Sequence, residues 1–234
     1  MSEFVESLAR AIKDRTTFPP MPGNLTLDAA YAMQAEVVQA VSGGAIAGYK
    51  AGLTAPAGQA QFGIDHPLIG VLYSSGHMQS GATFSSGPGI MLECEIGVVI
   101  DAEGNARTAG PVIEVPRAAW ASPEDATGIS MAACNIAAYR FITGEQGEIR
   151  DDYDDLSVTL TRDGETVTQA PLHEALGGPL PALQWMTSSA RELGLPLEDG
   201  LLMITGAVGG IQPAQPGQYV ADYGVLGKVT FTVT

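Results

Sequence analysis

The stretch Met91-Leu92-Glu93-Cys94-Glu95-Ile96-Gly97-Val98-Val99-Ile100 decides how the rest of the chain is read. Side chains of a strand alternate between faces, so Leu92, Cys94, Ile96, Val98 and Ile100 make one unbroken apolar face while Glu93 and Glu95 share the other. Two carboxylates so placed are neighbours. In an apolar setting their repulsion must be relieved by protonation, by a Lys or Arg, or by a divalent cation, and a hard cation is the simplest resolution. Oxygen ligands fit Mg²⁺ or Mn²⁺, and no His lies near in sequence to suggest zinc. Alternation turns Cys94 away from the carboxylates, as a buried thiol and not a nucleophile. An isolated Glu-x-Glu more often faces water, but the next strand, Pro111-Val112-Ile113-Glu114-Val115-Pro116, sets a single Glu among apolar residues. Glu114 on an adjacent strand would complete a three-carboxylate set for one octahedral ion, leaving positions for substrate and water.

Two amphipathic helices are expected before this strand. Phe4, Leu8 and Ile12 recur at steps of four, and Leu27, Tyr31, Gln34, Val38 and Val41 at steps of three and four, with Thr26 as cap and Gly43-Gly44 as terminator. The texture becomes strand-like from Ala47, and Ala47 to Thr54 places Lys50 between Gly48 and Gly52. Those glycines would admit a ligand or another strand close by, although a strand Lys is more often a solvated edge residue. A short helix near Ala57 to Phe62 and a strand at Gly70 to Tyr73 follow. Ile129 to Thr143 reads as one long buried segment. Leu156 to Thr161 and Glu165 to Gln169 form a hairpin around Asp163-Gly164, a helix covers Leu180 to Leu193, and Leu201 to Thr205 and Leu226 to Val233 finish the sheet. Helices first and many strands afterwards argue α+β, with a helical extension over residues 1–46 and a β-rich catalytic domain over 47–234.

The 234 residues are 45% hydrophobic and 16% charged, a globular composition. Eleven Lys and Arg against 26 Asp and Glu give a net charge of −15, which repels phosphate backbones and anionic membranes. Nucleic acid and membrane are thereby poor partners, and an anionic small substrate would need a local cation. Two cysteines without CxxC spacing, and no secretory apolar run, suggest a cytoplasmic protein. His66, His77 and His173 lie far apart and offer no metal spacing.

Several ordered motifs carry a resemblance. Gly48-Tyr49-Lys50-Ala51-Gly52-Leu53-Thr54, Gln61 to Pro67, Glu93-Cys94-Glu95, Pro111 to Val115 and Leu202-Met203-Ile204-Thr205-Gly206-Ala207 look like the 2-keto-4-pentenoate hydratase group. That group includes 2-oxo-3-hexenedioate decarboxylases and belongs to the fumarylacetoacetate hydrolase superfamily. The resemblance spans nearly the whole chain. It implies a mixed β-roll core with an N-terminal helical extension, and Mg²⁺ or Mn²⁺ held by Glu93, Glu95 and Glu114. It further implies a small 2-oxo acid substrate, Lys50 as the active-site lysine, and Thr205, Gly206 and Ala207 as the segment approaching the substrate carboxylate. Hydration of an unsaturated 2-oxo acid such as 2-hydroxypenta-2,4-dienoate, in aromatic catabolism, is the expected reaction, with decarboxylation as the alternative. A homo-oligomer, associating with a related decarboxylase or hydratase, is the expected assembly. The chain departs from the family pattern where Ala55-Pro56-Ala57 follows Thr54 in place of a basic residue, and where Tyr73-Ser74-Ser75 stands in place of acidic ones. These departures motivate a second reading, a catalytically silent partner subunit.

Overall fold

The computed structural model describes residues 2–234. Helix α1 (Glu3–Asp14) starts where the Ser2 hydroxyl accepts the Val5 N–H. Helix α2 (Leu27–Ser42) starts at Thr26, whose hydroxyl accepts the Ala29 N–H, and ends at Gly43 in the left-handed region, as the sequence predicts. Beyond them the chain forms strands β1 (Ile46–Gly52), β2 (Leu68–Tyr73), β3 (His77–Gln79), β4 (Ala82–Phe84), β5 (Met91–Ile100), β6 (Ala106–Val115) and β7 (Arg140–Thr143). Short helices α3 (Pro56–Gln61) and α4 (Gly128–Ala133) interrupt them. The hairpin β8 (Ser157–Arg162) and β9 (Glu165–Pro171), helix α5 (Pro179–Glu192), and strands β10 (Leu202–Ile204), β11 (Val208–Pro213), β12 (Gly217–Asp222) and β13 (Lys228–Val233) complete it.

Two sheets result. The larger runs β2-β1-β10-β5-β6-β7-β3, with β11 also on β5; the smaller runs β4-β13-β12-β8-β9. Pairing is mixed, since β1/β10, β3/β7 and β4/β13 are parallel and the rest antiparallel. One apolar cluster joins Val5, Leu8 and Val37 of the helices to Tyr49, Ile96 and Val98 of the large sheet. Helix α2 also closes the sheet's edge. Gln34 donates to the Ile69 carbonyl, Tyr31 accepts the Ile69 N–H, and the Asn135 side chain takes both the N–H and the carbonyl of Val71. The free amide groups of edge strand β2 are thus met by side chains, which blocks pairing with another chain. That role explains a Gln on the buried face of α2.

Some elements differ from the sequence reading. Strand β6 begins at Ala106, not Pro111, because Pro111 does not break it: β7 ends at Thr143, opposite Val112, so the missing N–H falls beyond that ladder. Strands β3, β4, β11 and β12 were not expected; the first two are three residues long, and Gly209 and Gly210 of β11 have φ of 75° and 72°, a break in any alternation. The segment expected as one buried run is instead α4, a turn and β7. Its turn holds Asn135, Ile136 and Ala137 consecutively in the left-handed region, at φ of 57°, 49° and 56°. The β8/β9 turn matches its expectation, with Asp163 and Gly164 both at positive φ as a two-residue hairpin turn demands.

Candidate active site

Strands β5 and β6 form an antiparallel hairpin in which Glu93 lies directly opposite Glu114 and Glu95 opposite Val112. Glu95 and Glu114 are fully buried and Glu93 is 9% exposed, so the carboxylates of β5 are almost as dry as its apolar face. Carboxylate oxygens of the three glutamates all lie within 4.8 Å of one another.

Lys50 joins them from β1, two strands away from β5 across β10. It is 2% exposed, pairs with Glu114 Oε1 and donates to the Ile136 carbonyl at 2.9 Å. Its neighbour Gly48 is required by sheet packing: a Cβ there would sit 1.8 Å from the Leu202 carbonyl oxygen on β10. Gly48 therefore admits another strand, not a ligand, and Gly52 likewise faces the Ile136 side chain. Lys50 is not a solvated edge residue; its ammonium sits in the carboxylate cluster.

Electrostatics follow from burial. Desolvation first, then repulsion by Glu114, push the Glu93 carboxyl up to about 8. The same two causes, with Glu93 added, hold Glu95 well above the ordinary carboxylate range. Burial opposes the charge on Lys50, yet Glu114, Glu93 and Glu95 together keep its ammonium above its usual value. Were all three carboxylates ionised, the one ammonium would leave two negative charges uncompensated in a buried site, which is why the metal-free carboxyls hold their protons. Glu95 Oε1 and Glu114 Oε2, both buried, have no hydrogen-bond partner. Orphaned buried oxygens are costly, and a set of hard oxygen donors that would carry two excess charges once ionised fits one divalent cation of the Mg²⁺ or Mn²⁺ type.

The Thr205-Gly206-Ala207 segment follows β10 and splits its tasks. Thr205 Oγ1 donates to the Ile96 carbonyl at 3.0 Å, and the Gly206 N–H donates to Glu95 Oε2 at 2.7 Å. Gly206 has φ of 103°, and a Cβ there would meet the Thr54 side chain at 2.5 Å. Ala207 alone of the three lines the cavity beside Lys50 and Glu93. That cavity measures about 510 Å³ and extends from the charged cluster to α3, Trp120 and Ile211.

Two further residues support the cluster. The Tyr223 hydroxyl accepts the Glu95 N–H at 3.1 Å and donates to the Val112 carbonyl at 2.8 Å, a phenol wedged into the β5/β6 ladder at the level of Glu95. The left-handed Asn135–Ala137 turn, clamped to Val71, aims the Ile136 carbonyl at Lys50. Sequence reasoning passed over both. Asn135 was the available signal, as a lone amide in an apolar run and a residue tolerant of positive φ. Tyr223 carried none. Cys94 is 2% exposed and burial pushes its thiol up to about 12, which suits packing and not nucleophilic attack.

No protein-family model matches the chain. A 2-keto-4-pentenoate hydratase of Burkholderia vietnamiensis (strain G4 / LMG 22486) is 30% identical over 230 residues, covering 91% of this chain and 87% of that protein. A 4-oxalocrotonate decarboxylase of Pseudomonas putida is 28% identical over 225 residues, covering 88% and 85%. The solved 4-oxalocrotonate decarboxylase from Pseudomonas putida G7, complexed with magnesium and adipate, superposes with a TM-score of 0.88 at 24% identity, over 99% of this chain and 96% of that one. The fold is also shared with a solved putative fumarylacetoacetate isomerase/hydrolase from Oleispira antarctica, at a TM-score of 0.58 and 17% identity over 80% of this chain and 93% of that one.

Proposed function

The chain belongs to the 2-keto-4-pentenoate hydratase family, and from that premise we propose that it is a metal-dependent lyase adding water to a small unsaturated 2-oxo acid such as 2-hydroxypenta-2,4-dienoate, a step of aromatic-compound degradation. The observation that carries this reading is the buried Glu93, Glu95 and Glu114 cluster, with two unpartnered oxygens beside Lys50. Those glutamates would hold Mg²⁺ or Mn²⁺, which supplies Lewis acidity toward the oxygens of a 2-oxo acid and answers the need of a −15 chain for a local cation.

The chain's own groups perform the remaining work. Hydration removes a proton from the enol oxygen and delivers protons to carbon while water adds across the conjugated double bond. Lys50 Nζ, held between Glu114 and the Ile136 carbonyl at the cavity floor, is the group suited to carry a proton to or from the substrate. Thr205 and Gly206 fix Glu95 and the end of β10, and Ala207 offers the cavity wall against which the acid head lies.

Decarboxylation of a 2-oxo-3-hexenedioate-type acid is the second reading, supported by the decarboxylase relative. The same reading places the enzyme in the cytoplasm as a homo-oligomer, free to associate with a related decarboxylase or hydratase. Among the described residues no helix is long and apolar enough to cross a membrane. The test is direct. The purified protein should bind close to one Mn²⁺ per chain, bind oxalate or pyruvate only with metal present, and consume 2-hydroxypenta-2,4-dienoate with loss of ultraviolet absorbance. Equal oxalate affinity in EDTA would mean that side-chain cations recognise the acid and would remove the metal from the mechanism. Turnover appearing only with a co-purified partner would favour the silent-subunit alternative.

A further inference from the structure

Outside the carboxylate cluster, Arg117 is a buried cation without an anion. It is 4% exposed and follows β6 in a segment whose Pro116, Ala118 and Trp120 line the cavity, while its own side chain does not. Nη2 donates to the Thr16 carbonyl at 2.8 Å, and the guanidinium carbon lies 5.8 Å from the centre of the Phe18 ring. Nε and Nη1 find no partner among the described residues and are not sealed from solvent. Two more arginines stand close by. Arg15 caps α1 one residue before Thr16 and is exposed, and Arg140 lies over the ring of Tyr139 at 4.9 Å. None of the ion pairs among the described residues includes any of the three. Burial chiefly holds the Arg117 guanidinium below its ordinary pKa, with Tyr139 opposing and Arg15 adding to the shift, and no carboxylate acts on it.

A desolvated charge without a counter-charge is costly, and one carbonyl and one aromatic face offset only part of that cost. The chain has 26 Asp and Glu and folds with none of them there. We propose that Arg117, with Arg15 at its rim, is a receptor for an oxyanion supplied from outside the chain, separate from the carboxylate cluster. A planar guanidinium with two open donors matches two oxygens of a carboxylate or phosphate group. The recess of Arg117 admits the tip of such a ligand, either a free small anion or an acidic side chain of a second copy. The net charge of −15 excludes a nucleic-acid backbone as the source. The site is also tied to the active-site scaffold. The Arg117 N–H donates to the Ala137 carbonyl at 2.8 Å, next to the Ile136 carbonyl that holds Lys50.

The test is equilibrium dialysis of radiolabelled inorganic phosphate against the full chain, in EDTA so that no metal binds the anion, at an ionic strength fixed with chloride. Phosphate should bind, with affinity lost by about tenfold or more in Arg117→Met. Arg15→Gln, at an exposed position, should weaken it by about threefold. Sedimentation separates the two sources. Where a second copy supplies the carboxylate, the wild type is an oligomer that phosphate or Arg117→Met dissociates, an outcome that also supports the receptor. Phosphate affinity unchanged in both variants places the anion elsewhere and overturns the proposal. Absence of phosphate binding, with an assembly state that neither phosphate nor Arg117→Met alters, overturns it as well. Should Arg117→Met fail to fold, Arg15→Gln decides: weakened phosphate binding or a loosened oligomer supports the receptor, and no change in either overturns it.

Discussion

Lys50 is where one substitution separates chemistry from metal binding. Lys50→Met keeps a stem of similar shape and removes the charge and its protons, so turnover should fall by about a hundredfold or more. Metal affinity should move the other way: with the ammonium gone, Glu114 Oε1 is released and the local charge is more negative, so Mn²⁺ should bind at least as tightly. Turnover close to wild type would remove Lys50 from the proton-transfer step. Glu95→Gln gives the converse pattern. It retains an oxygen for the Gly206 N–H but deletes a ligand charge, so Mn²⁺ binding should weaken by about tenfold or more while Lys50 stays in place. Comparing metal affinity and kcat in the two variants tests the division of labour, which neither measurement resolves alone.

At the scale of elements, the Tyr223 hydroxyl stands between the Glu95 N–H and the Val112 carbonyl, where an ordinary ladder would join them directly. Tyr223→Phe leaves both groups to re-pair or go unsatisfied in a fully dry site. A stability loss of about 1–2 kcal/mol is expected on unfolding in denaturant. Because Glu95 would shift with its strand, Mn²⁺ affinity should also fall by about tenfold. A stability loss with unchanged Mn²⁺ affinity would mean that the phenol only holds the fold. This wedge also shows what kind of structure was legible in advance. Alternation along β5 names Glu93 and Glu95, and burial of a lone charge names Glu114, because both are local patterns. The Gly48 approach to Leu202, the Asn135 clamp on Val71 and the Tyr223 wedge link residues far apart in sequence, and no local periodicity encodes them. Likewise the apolar run around Asn135 suggested one buried segment, whereas its left-handed turn depends on an edge strand that only the folded sheet supplies.

For the whole molecule, the carboxylate cluster makes stability depend on pH and metal together. In the metal-free fold Glu93 titrates at about 8 and Glu95 also lies well above its ordinary value, whereas both would titrate near 4.3 in the unfolded chain. Between those values the folded state binds more protons than the unfolded one, so stability falls as pH rises through that window. Protein stripped of metal should therefore melt at a lower temperature at pH 8 than at pH 6. Added Mg²⁺ replaces the protons, so its stabilisation should be larger at pH 8, and its binding near pH 7 should release protons. Calorimetric titration in two buffers of different ionisation enthalpy reads that release directly. Saturation at a hundred times Kd corresponds to about 2.7 kcal/mol of protection, enough to raise the melting temperature by several degrees in a chain of this size. A melting temperature that is flat with pH in the stripped protein, together with no proton release on metal binding, would mean that the three glutamates are already ionised without a cation. In that case Lys50 would have to balance them alone, which its single charge against three makes electrostatically unfavourable.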